Sequence, residues 1–162
     1  MSSKNSETQL LLDIIDQAYE RHAWHGPNLR GSIRGLTVEH AVWRPGPRRH
    51  NIWEVAVHAA YWKYAVCRRI LGEKRGSFPL KGSNWFRRPV ENTEKAWRAD
   101  VALLDATHKS MREAIANLAA RRLNKMQGKT KYTYTQIIYG IASHDLYHAG
   151  QIQLLKRLQK DS

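Results

Sequence analysis

Two histidines near the C-terminal end of the chain, His144 and His148, are four residues apart within a helical pattern. Residues at this spacing lie on one face of an α-helix, about one turn apart, so both imidazoles can point at one ion. They belong to a stripe that recurs at steps of four and three, namely Ile137, Ile141, His144, His148, Gln151 and Leu155. Polar side chains in such a stripe cost free energy to bury unless something binds them. The pair therefore predicts a metal site, and two histidines satisfied by hydrogen bonds are the alternative.

A third ligand would distinguish these alternatives, and His58 is the candidate. It is the histidine of the second predicted helix, where it faces the core among small and apolar neighbours. Three neutral imidazole nitrogens with an open position are typical of catalytic zinc, nickel or iron sites. The sequence thus predicts a metal site at His58, His144 and His148. His108, on the inner stripe of the third helix, and His25, after the first helix, remain open as further ligands.

Two other polar residues could support the site, whereas the residues that would do the chemistry stay unknown. Glu54, one turn before His58, could orient that imidazole or cap its helix, and Gln151 could hold a bound water, a substrate oxygen or a neighbouring helix. Asp145 is turned by about 100° from His144, which makes it a poor candidate for a base. The single Cys67 excludes an internal disulfide and reads as a small buried side chain.

The residues that must position this site form four long helical patterns. Asn51 is a predicted N-cap, Gly72 a predicted stop, and Thr37 the predicted cap of a short helical turn. Each pattern carries one apolar stripe, and no segment alternates with period two, so we expect an all-α four-helix bundle. The predicted helices cover residues 6–24, 51–71, 93–122 and 133–159.

The composition is that of an ordinary globular chain. At 162 residues, with 42% apolar and 25% charged residues, we expect one domain over 1–162. The first residues contain no apolar signal-like core, and no run approaches the roughly 18 apolar residues of a membrane span. We therefore expect a soluble, cytoplasmic protein that does not enter a membrane.

A formal net charge of +13 makes nucleic acid a serious alternative partner. The basic residues are distributed along the chain in short pairs rather than gathered in one arm or helix, and no zinc-finger, RRM or basic-zipper signature accompanies them. Specific nucleic-acid binding is therefore not expected, although attraction to polyanions at low salt is.

Three motifs together resemble the DinB-like superfamily, which includes the YfiT-like metal-dependent hydrolases. They are Trp24-His25-Gly26-Pro27, then His50-Asn51-Ile52-Trp53-Glu54-x-x-x-His58, and finally His144-x-x-x-His148-x-x-Gln151-Ile152. The resemblance implies an up-down-down-up bundle with a long crossover over 72–92, between the second and third helices. It also implies a metal triad of His58, His144 and His148, and a homodimer.

Relatives in this superfamily include thiol-dependent enzymes, so the resemblance implies a metal-dependent enzyme that transfers a low-molecular-weight thiol or hydrolyses its substrate. The alternatives are a non-catalytic metal-binding stress-response module and, less well supported, a basic nucleic-acid-binding protein. Only a fourth protein ligand closing the triad, or one continuous basic face, would favour these alternatives.

The implied topology brings 26–50 and the crossover to the end of the bundle nearer His58, where they would rim a pocket. The aromatic and histidine candidates for its walls are Trp24, His25, Trp43, Trp53, Trp85 and Phe86. The arginines of the same segments, Arg48, Arg49, Arg87 and Arg88, would favour a small anionic substrate.

Overall fold

A computed structural model describes residues 6–74, 76 and 78–162, and this part of the chain contains helices and no strand. The predicted all-α class is confirmed. None of the described helices is both long and apolar enough to cross a bilayer. The helices are α1 (Ser6–Tyr19), α2 (Leu29–Ile33), α3 (Val38–Val42), α4 (Ile52–Leu71), α5 (Glu94–Ala116) and α6 (Tyr134–Lys160), with a 3-10 turn at Ala120–Arg122.

Polar caps fix where the long helices begin. The Asn51 side chain accepts a hydrogen bond from the backbone N–H of Glu54 at 2.8 Å, as predicted for the start of α4. Thr133 and Gln136 form a reciprocal capping box at the start of α6. Gly72 ends α4 with a φ of 72°, a left-handed conformation that glycine adopts without a steric penalty.

Two helices are shorter than their apolar patterns predict. α1 ends at Tyr19 rather than Trp24, because the backbone N–H groups of Glu20 and Arg21 both bond to the carbonyl of Asp16, at 3.0 and 2.8 Å. The chain then forms the short α2, which the sequence did not indicate. α5 ends at Ala116, so residues 117–122 lie outside it. Apolar spacing continues past both ends, and backbone capping decides where the helix stops.

α4 occupies the centre of the protein. Residues 52–61 are all buried, whereas the sequence predicted a single narrow inner face. At its first turns Trp53 packs edge-on against Trp97 of α5, with ring centroids 5.3 Å apart. Near its other end Val66 and Ile70 share a core cluster with Met111 and Ile115 of α5. α3, α6 and the connection after α4 cover its remaining sides.

The buried face of α6 is shifted by one residue from the predicted stripe. Within that stripe Ile141 and His148 are buried, whereas Ile137, His144 and Gln151 are only half-buried. The face that is buried throughout contains Tyr134, Ile138, Ala142, Asp145, Ala149 and Ile152. The predicted histidines consequently lie at the margin of the core, between its deepest layer and the solvent.

Candidate metal centre

The three predicted histidines meet between α4 and α6. The Nε2 atoms of His58 and His148 each lie 3.1 Å from the Nε2 atom of His144, and the candidate ligand atoms all fall within 4.8 Å of one another. His58 and His148 are 5% and 3% exposed. The prediction that these side chains converge is confirmed.

The outer nitrogens of two of these rings are held by acceptors. Nδ1 of His58 lies 2.7 Å from the carbonyl oxygen of Asn84, and Nδ1 of His148 lies 2.7 Å from Oε1 of Gln151. A carbonyl oxygen can only accept, so each Nδ1 carries the proton and each Nε2 of the neutral ring presents a lone pair. One proton on His144 could satisfy only one of the two, whereas a cation among the three Nε2 atoms would satisfy all three rings.

The spacing of the nitrogens also suits a metal ion. Ligand nitrogens at 2.0–2.1 Å from a tetrahedral ion lie about 3.3 Å apart, and cis ligands of an octahedral ion about 2.9 Å apart. The two 3.1 Å separations lie between these values. The residues therefore fit a divalent transition metal, and the spacing does not select among zinc, nickel and iron.

Burial keeps the three imidazoles neutral, which is the form that binds metal. Burial, reinforced by the neighbouring His148 and His58, lowers the pKa of His144 to about 3. Burial lowers the pKa of His148 to about 4, although its hydrogen bond to Gln151 acts in the opposite direction. The pKa of His58 is also lowered, mainly by burial.

Asn84, in the connection between α4 and α5, holds two residues at the site. Its carbonyl accepts from His58, and its side-chain oxygen accepts from Nε1 of Trp62 at 2.9 Å. Its φ of 68° is left-handed, a conformation that asparagine tolerates better than most residues. Sequence reasoning missed Asn84, because a backbone carbonyl has no residue-type signal. Trp62 could have been found, since it lies one turn after His58 on the same helix face.

Trp85 covers the outer face of His58. Its indole lies between two imidazoles, with ring centroids 3.9 Å from His58 and 3.7 Å from His50, and the planes are within 10° and 4° of parallel. His50 is half-exposed and also bonds Glu54 through Nδ1 at 2.9 Å. The connection between α4 and α5 thus supplies both a hydrogen bond and a stacking surface to one triad member.

The Glu54 side chain neither orients His58 nor caps α4, the two roles that the sequence suggested for it. Its carboxylate accepts from both terminal nitrogens of Arg44, at 2.8 and 2.6 Å, and from the backbone N–H of Arg88 at 3.1 Å. These bonds, with the one from His50, outweigh burial and lower the pKa of Glu54 to about 2. Glu54 ties the start of α4 to its flanking segments, and the acceptor for His58 is Asn84.

His108 and His25, which the sequence left open as ligands, are not in the cluster. His108 stacks on Tyr19 with ring centroids 3.7 Å apart, and neither of its nitrogens has a hydrogen-bond partner among the described residues. Burial, together with the charges of Lys63 and Arg112, lowers the pKa of His108 to about 2. His25 is exposed.

A buried ion pair lies directly behind the triad. Lys63 of α4 donates to Oδ2 of Asp145, the residue after His144, and the two side chains are 0% and 1% exposed. As predicted, Asp145 is turned away from the histidine cluster. Lys63 was not anticipated, because a lysine in an amphipathic helix is normally assigned to the surface.

The predicted pocket walls are dispersed. Trp24 is fully exposed, and Trp53 is a core residue that donates from Nε1 to Asp100 at 2.6 Å. Phe86 packs among Tyr61 and Phe78. Of the six candidates, Trp85 is the one with recorded ring contacts to the triad, on His58 and His148. Sequence reasoning could not separate these roles, because all but Trp53 lie outside the helices, where side-chain directions follow no period.

None of the four arginines of the predicted basic cluster lines the cavity that includes His144. Arg88 donates to Asp100 at 3.0 Å, and this ion pair neutralises it. Arg48, Arg49 and Arg87 are exposed. The concave surface that reaches the triad is instead a groove of about 260 Å³ between α4 and α6, which we call the α4–α6 groove. It is lined by Trp62, Val66, Arg69, Tyr132, Gln136, Ile137, Gly140, Ile141 and His144.

Fold and site together define an all-α protein with a three-histidine cluster that is close enough to hold a metal ion. The sequence profile of the DinB superfamily matches residues 21–152, which is most of the chain. The chain belongs to the DinB superfamily, and the resemblance noted from its motifs is confirmed. Neither the curated proteins nor the solved structures that were compared contain a match.

Proposed function

We propose that the protein is a metal-dependent enzyme of the DinB superfamily that binds one divalent ion through His58, His144 and His148. The observation that carries the proposal is the set of three Nε2 atoms facing one another, with the outer nitrogens of His58 and His148 held elsewhere. An ion bound there by three imidazoles would leave a coordination position open and would act as a Lewis acid that lowers the pKa of a thiol or of water. Transfer of a low-molecular-weight thiol is the favoured reaction, and hydrolysis is the alternative.

The surrounding residues would keep the triad in one arrangement. Asn84 and Gln151 hold the protons of His58 and His148 on the outer nitrogens. Trp85 and Trp62 limit the access of water to the rings, and the α4–α6 groove ends at His144. Hydrogen bonds to the outer nitrogens of metal-binding histidines typically change metal affinity by about 10- to 100-fold.

We also propose an up-down-down-up arrangement of the four long helices. Trp53 pairs with Trp97, and the later Val66 shares a core cluster with the later Met111, which supports parallel α4 and α5 joined by a crossover. His58 faces His148 while the later Val66 clusters with the earlier Ile141, which supports antiparallel α4 and α6.

A homodimer is the proposed assembly. The exposed face of α6 contains Tyr139, Ser143, Tyr147, Gly150, Leu154 and Leu158. From Tyr139 to Leu154 this face has no charged residue, in a chain whose net charge is +13, and the exposed Arg157 follows on it. Its two small residues, Ser143 and Gly150, would allow close approach of a second copy.

Metal analysis of protein purified without an affinity tag tests the site. We expect one ion per chain in the wild type and in the His25→Ala variant, which removes an exposed histidine, and no bound ion in His148→Ala. Metal retained by His148→Ala, or absent from the wild type after reconstitution with zinc, nickel and iron, would contradict the proposal.

Turnover tests the catalytic part separately. The reconstituted wild type, mixed with low-molecular-weight thiols and a chloroarene electrophile, should release chloride faster than the same mixture without protein. The His148→Ala variant should show only the background rate. Turnover equal to that of the wild type in this variant would remove the ion from the mechanism, and hydrolysis of ester substrates without thiol would favour the alternative reaction.

A further inference from the structure

The α4–α6 groove joins His144 to a cation at its other end, Arg69. We propose that this groove binds a slender, largely apolar substrate that carries a carboxylate at the end remote from its reacting atom. Arg69 is the residue that recognises this carboxylate. The reaction performed at the triad rests on the proposed function, whereas binding in the groove rests on the groove itself.

The body of the groove favours an apolar ligand. Trp62 and Val66 of α4 face Ile137 and Ile141 of α6 across it. At Gly140 a Cβ atom would meet no other atom within 4 Å, so this glycine leaves the space open. A volume of about 260 Å³ accommodates one small molecule, and its apolar walls would stabilise that molecule by removing its surface from water.

The charge at the far end favours an anion. The guanidinium carbon of Arg69 lies 6.0 Å from the centroid of the Trp62 ring, which holds the side chain against the groove wall. No carboxylate forms an ion pair with Arg69 in the part of the chain that the structure describes, whereas Arg44, Arg88 and Arg112 are each paired with an acid. A guanidinium can bind a carboxylate through two parallel hydrogen bonds.

The length of the groove sets the length of the ligand. The guanidinium carbon of Arg69 and the His144 ring lie 6.0 and 6.3 Å from the centroid of the Trp62 ring, so Trp62 limits how far apart the cation and the imidazole are. A ligand that spans them needs an extended body, so a compact carboxylate such as acetate would not use both ends.

Calorimetric titration with 6-phenylhexanoate and its neutral amide tests the role of Arg69 on the metal-loaded protein. We expect the carboxylate to bind the wild type about tenfold more tightly than the amide, as for one charged hydrogen-bonded contact. Arg69→Ala should abolish this preference. Arg68→Ala is the matched control, since its side chain lines a different pocket, and it should retain the preference. Equal preference in the Arg69→Ala and wild-type proteins would overturn the proposal.

Two further variants locate the ligand. Gly140→Leu should fill the groove and weaken both probes at least tenfold while leaving the far-ultraviolet spectrum unchanged, and wild-type binding by this variant would place the probes elsewhere. His148→Ala, without bound metal, should still prefer the carboxylate. If His148→Ala loses the preference for the carboxylate over the amide and Arg69→Ala keeps it, the carboxylate binds at the triad. The groove proposal is then wrong, while the proposed function stands. If the wild type binds no metal but still prefers the carboxylate through Arg69, the groove proposal stands and the proposed function is wrong.

Discussion

At the scale of single residues, the site depends on a backbone carbonyl oxygen, an atom that every residue type has. The carbonyl of Asn84 sets the tautomer of His58, and the left-handed φ of 68° aims that carbonyl at the imidazole. A residue of this kind is recognisable only in the folded chain. Its contribution to metal binding is therefore best tested by substitutions that change the backbone preference and leave the histidines intact.

Substitutions at Asn84 should separate the role of its backbone from that of its side chain. Asn84→Gly keeps the left-handed conformation and should keep wild-type zinc affinity within a few-fold. Asn84→Val disfavours this conformation and should weaken zinc binding about tenfold or more, because the hydrogen bond to His58 is displaced. Competition with a chromophoric chelator measures both affinities, and equal affinities in the two variants would show that the carbonyl is dispensable.

His108 should make the protein sensitive to acid. Its folded pKa is lowered to about 2 from an ordinary 6.5 by burial and by the charges of Lys63 and Arg112, so the unfolded chain takes up the proton first. Stability is therefore fully present above about pH 6.5 and falls as the pH drops below it. His108→Phe retains a ring against Tyr19. Its free energy of unfolding relative to that of the wild type should rise by about 1 kcal/mol for the pH unit between pH 6 and 5.

Urea denaturation across this pH range measures the effect. His25→Phe, a change at an exposed position, should follow the wild type at every pH. Parallel curves for the wild type and His108→Phe would mean that His108 takes up a proton in the folded protein, against the burial described here.

At the scale of helices, the contact between α4 and α6 has two layers, the histidines at the margin and the Lys63–Asp145 pair behind them. Burying two charges costs desolvation, so the pair need not stabilise the fold relative to apolar residues. Its geometry does fix how the two helices face each other, since Asp145 follows His144 directly.

A double-mutant cycle at this pair should show strong coupling. Lys63→Met alone should lower the free energy of unfolding by about 3–5 kcal/mol, because it leaves a buried carboxylate unpaired. Asp145→Leu alone should have an effect of similar size, while the double variant should recover most of the loss. Chemical denaturation gives these values, and additive single effects would contradict the coupling. Zinc content of the double variant would then show whether the pair also positions His144.

Periodicity and capping residues were sufficient to predict most of the helical framework. Asn51, Gly72 and Thr133 delimit helices close to the predicted positions, and the stripes selected the three histidines that converge. The pattern could not place the early end of α1, which a backbone hydrogen bond decides, nor the burial of Lys63, which depends on a partner on another helix. The predicted pocket walls were wrong because most of these residues lie in loops, where the sequence has no periodicity.

At the scale of the whole molecule, the exposed face of α6, which is uncharged from Tyr139 to Leu154, contrasts with a strongly basic chain. If two copies pair through this face, Leu154→Glu should shift the protein to monomer, as measured by sedimentation velocity. Leu71→Glu is the matched control, since Leu71 is similarly exposed, at 54% against 58%, but lies at the end of α4. Added salt should strengthen the wild-type dimer by screening repulsion between the copies. A monomeric wild type at all salt concentrations would exclude the dimer.

The sandwich of Trp85 between His50 and His58 couples the crossover to the ligand beneath it. Because the Asn84 carbonyl also accepts a hydrogen bond from the His58 imidazole, the connection between α4 and α5 cannot move outward without losing its contacts to His58. Opening of the connection between α4 and α5 would then be coupled to release of a bound cation. The metal-loaded protein should therefore resist trypsin cleavage at the exposed Lys81, and the metal-free protein should be cleaved there. Protease sensitivity would thus report occupancy of the site.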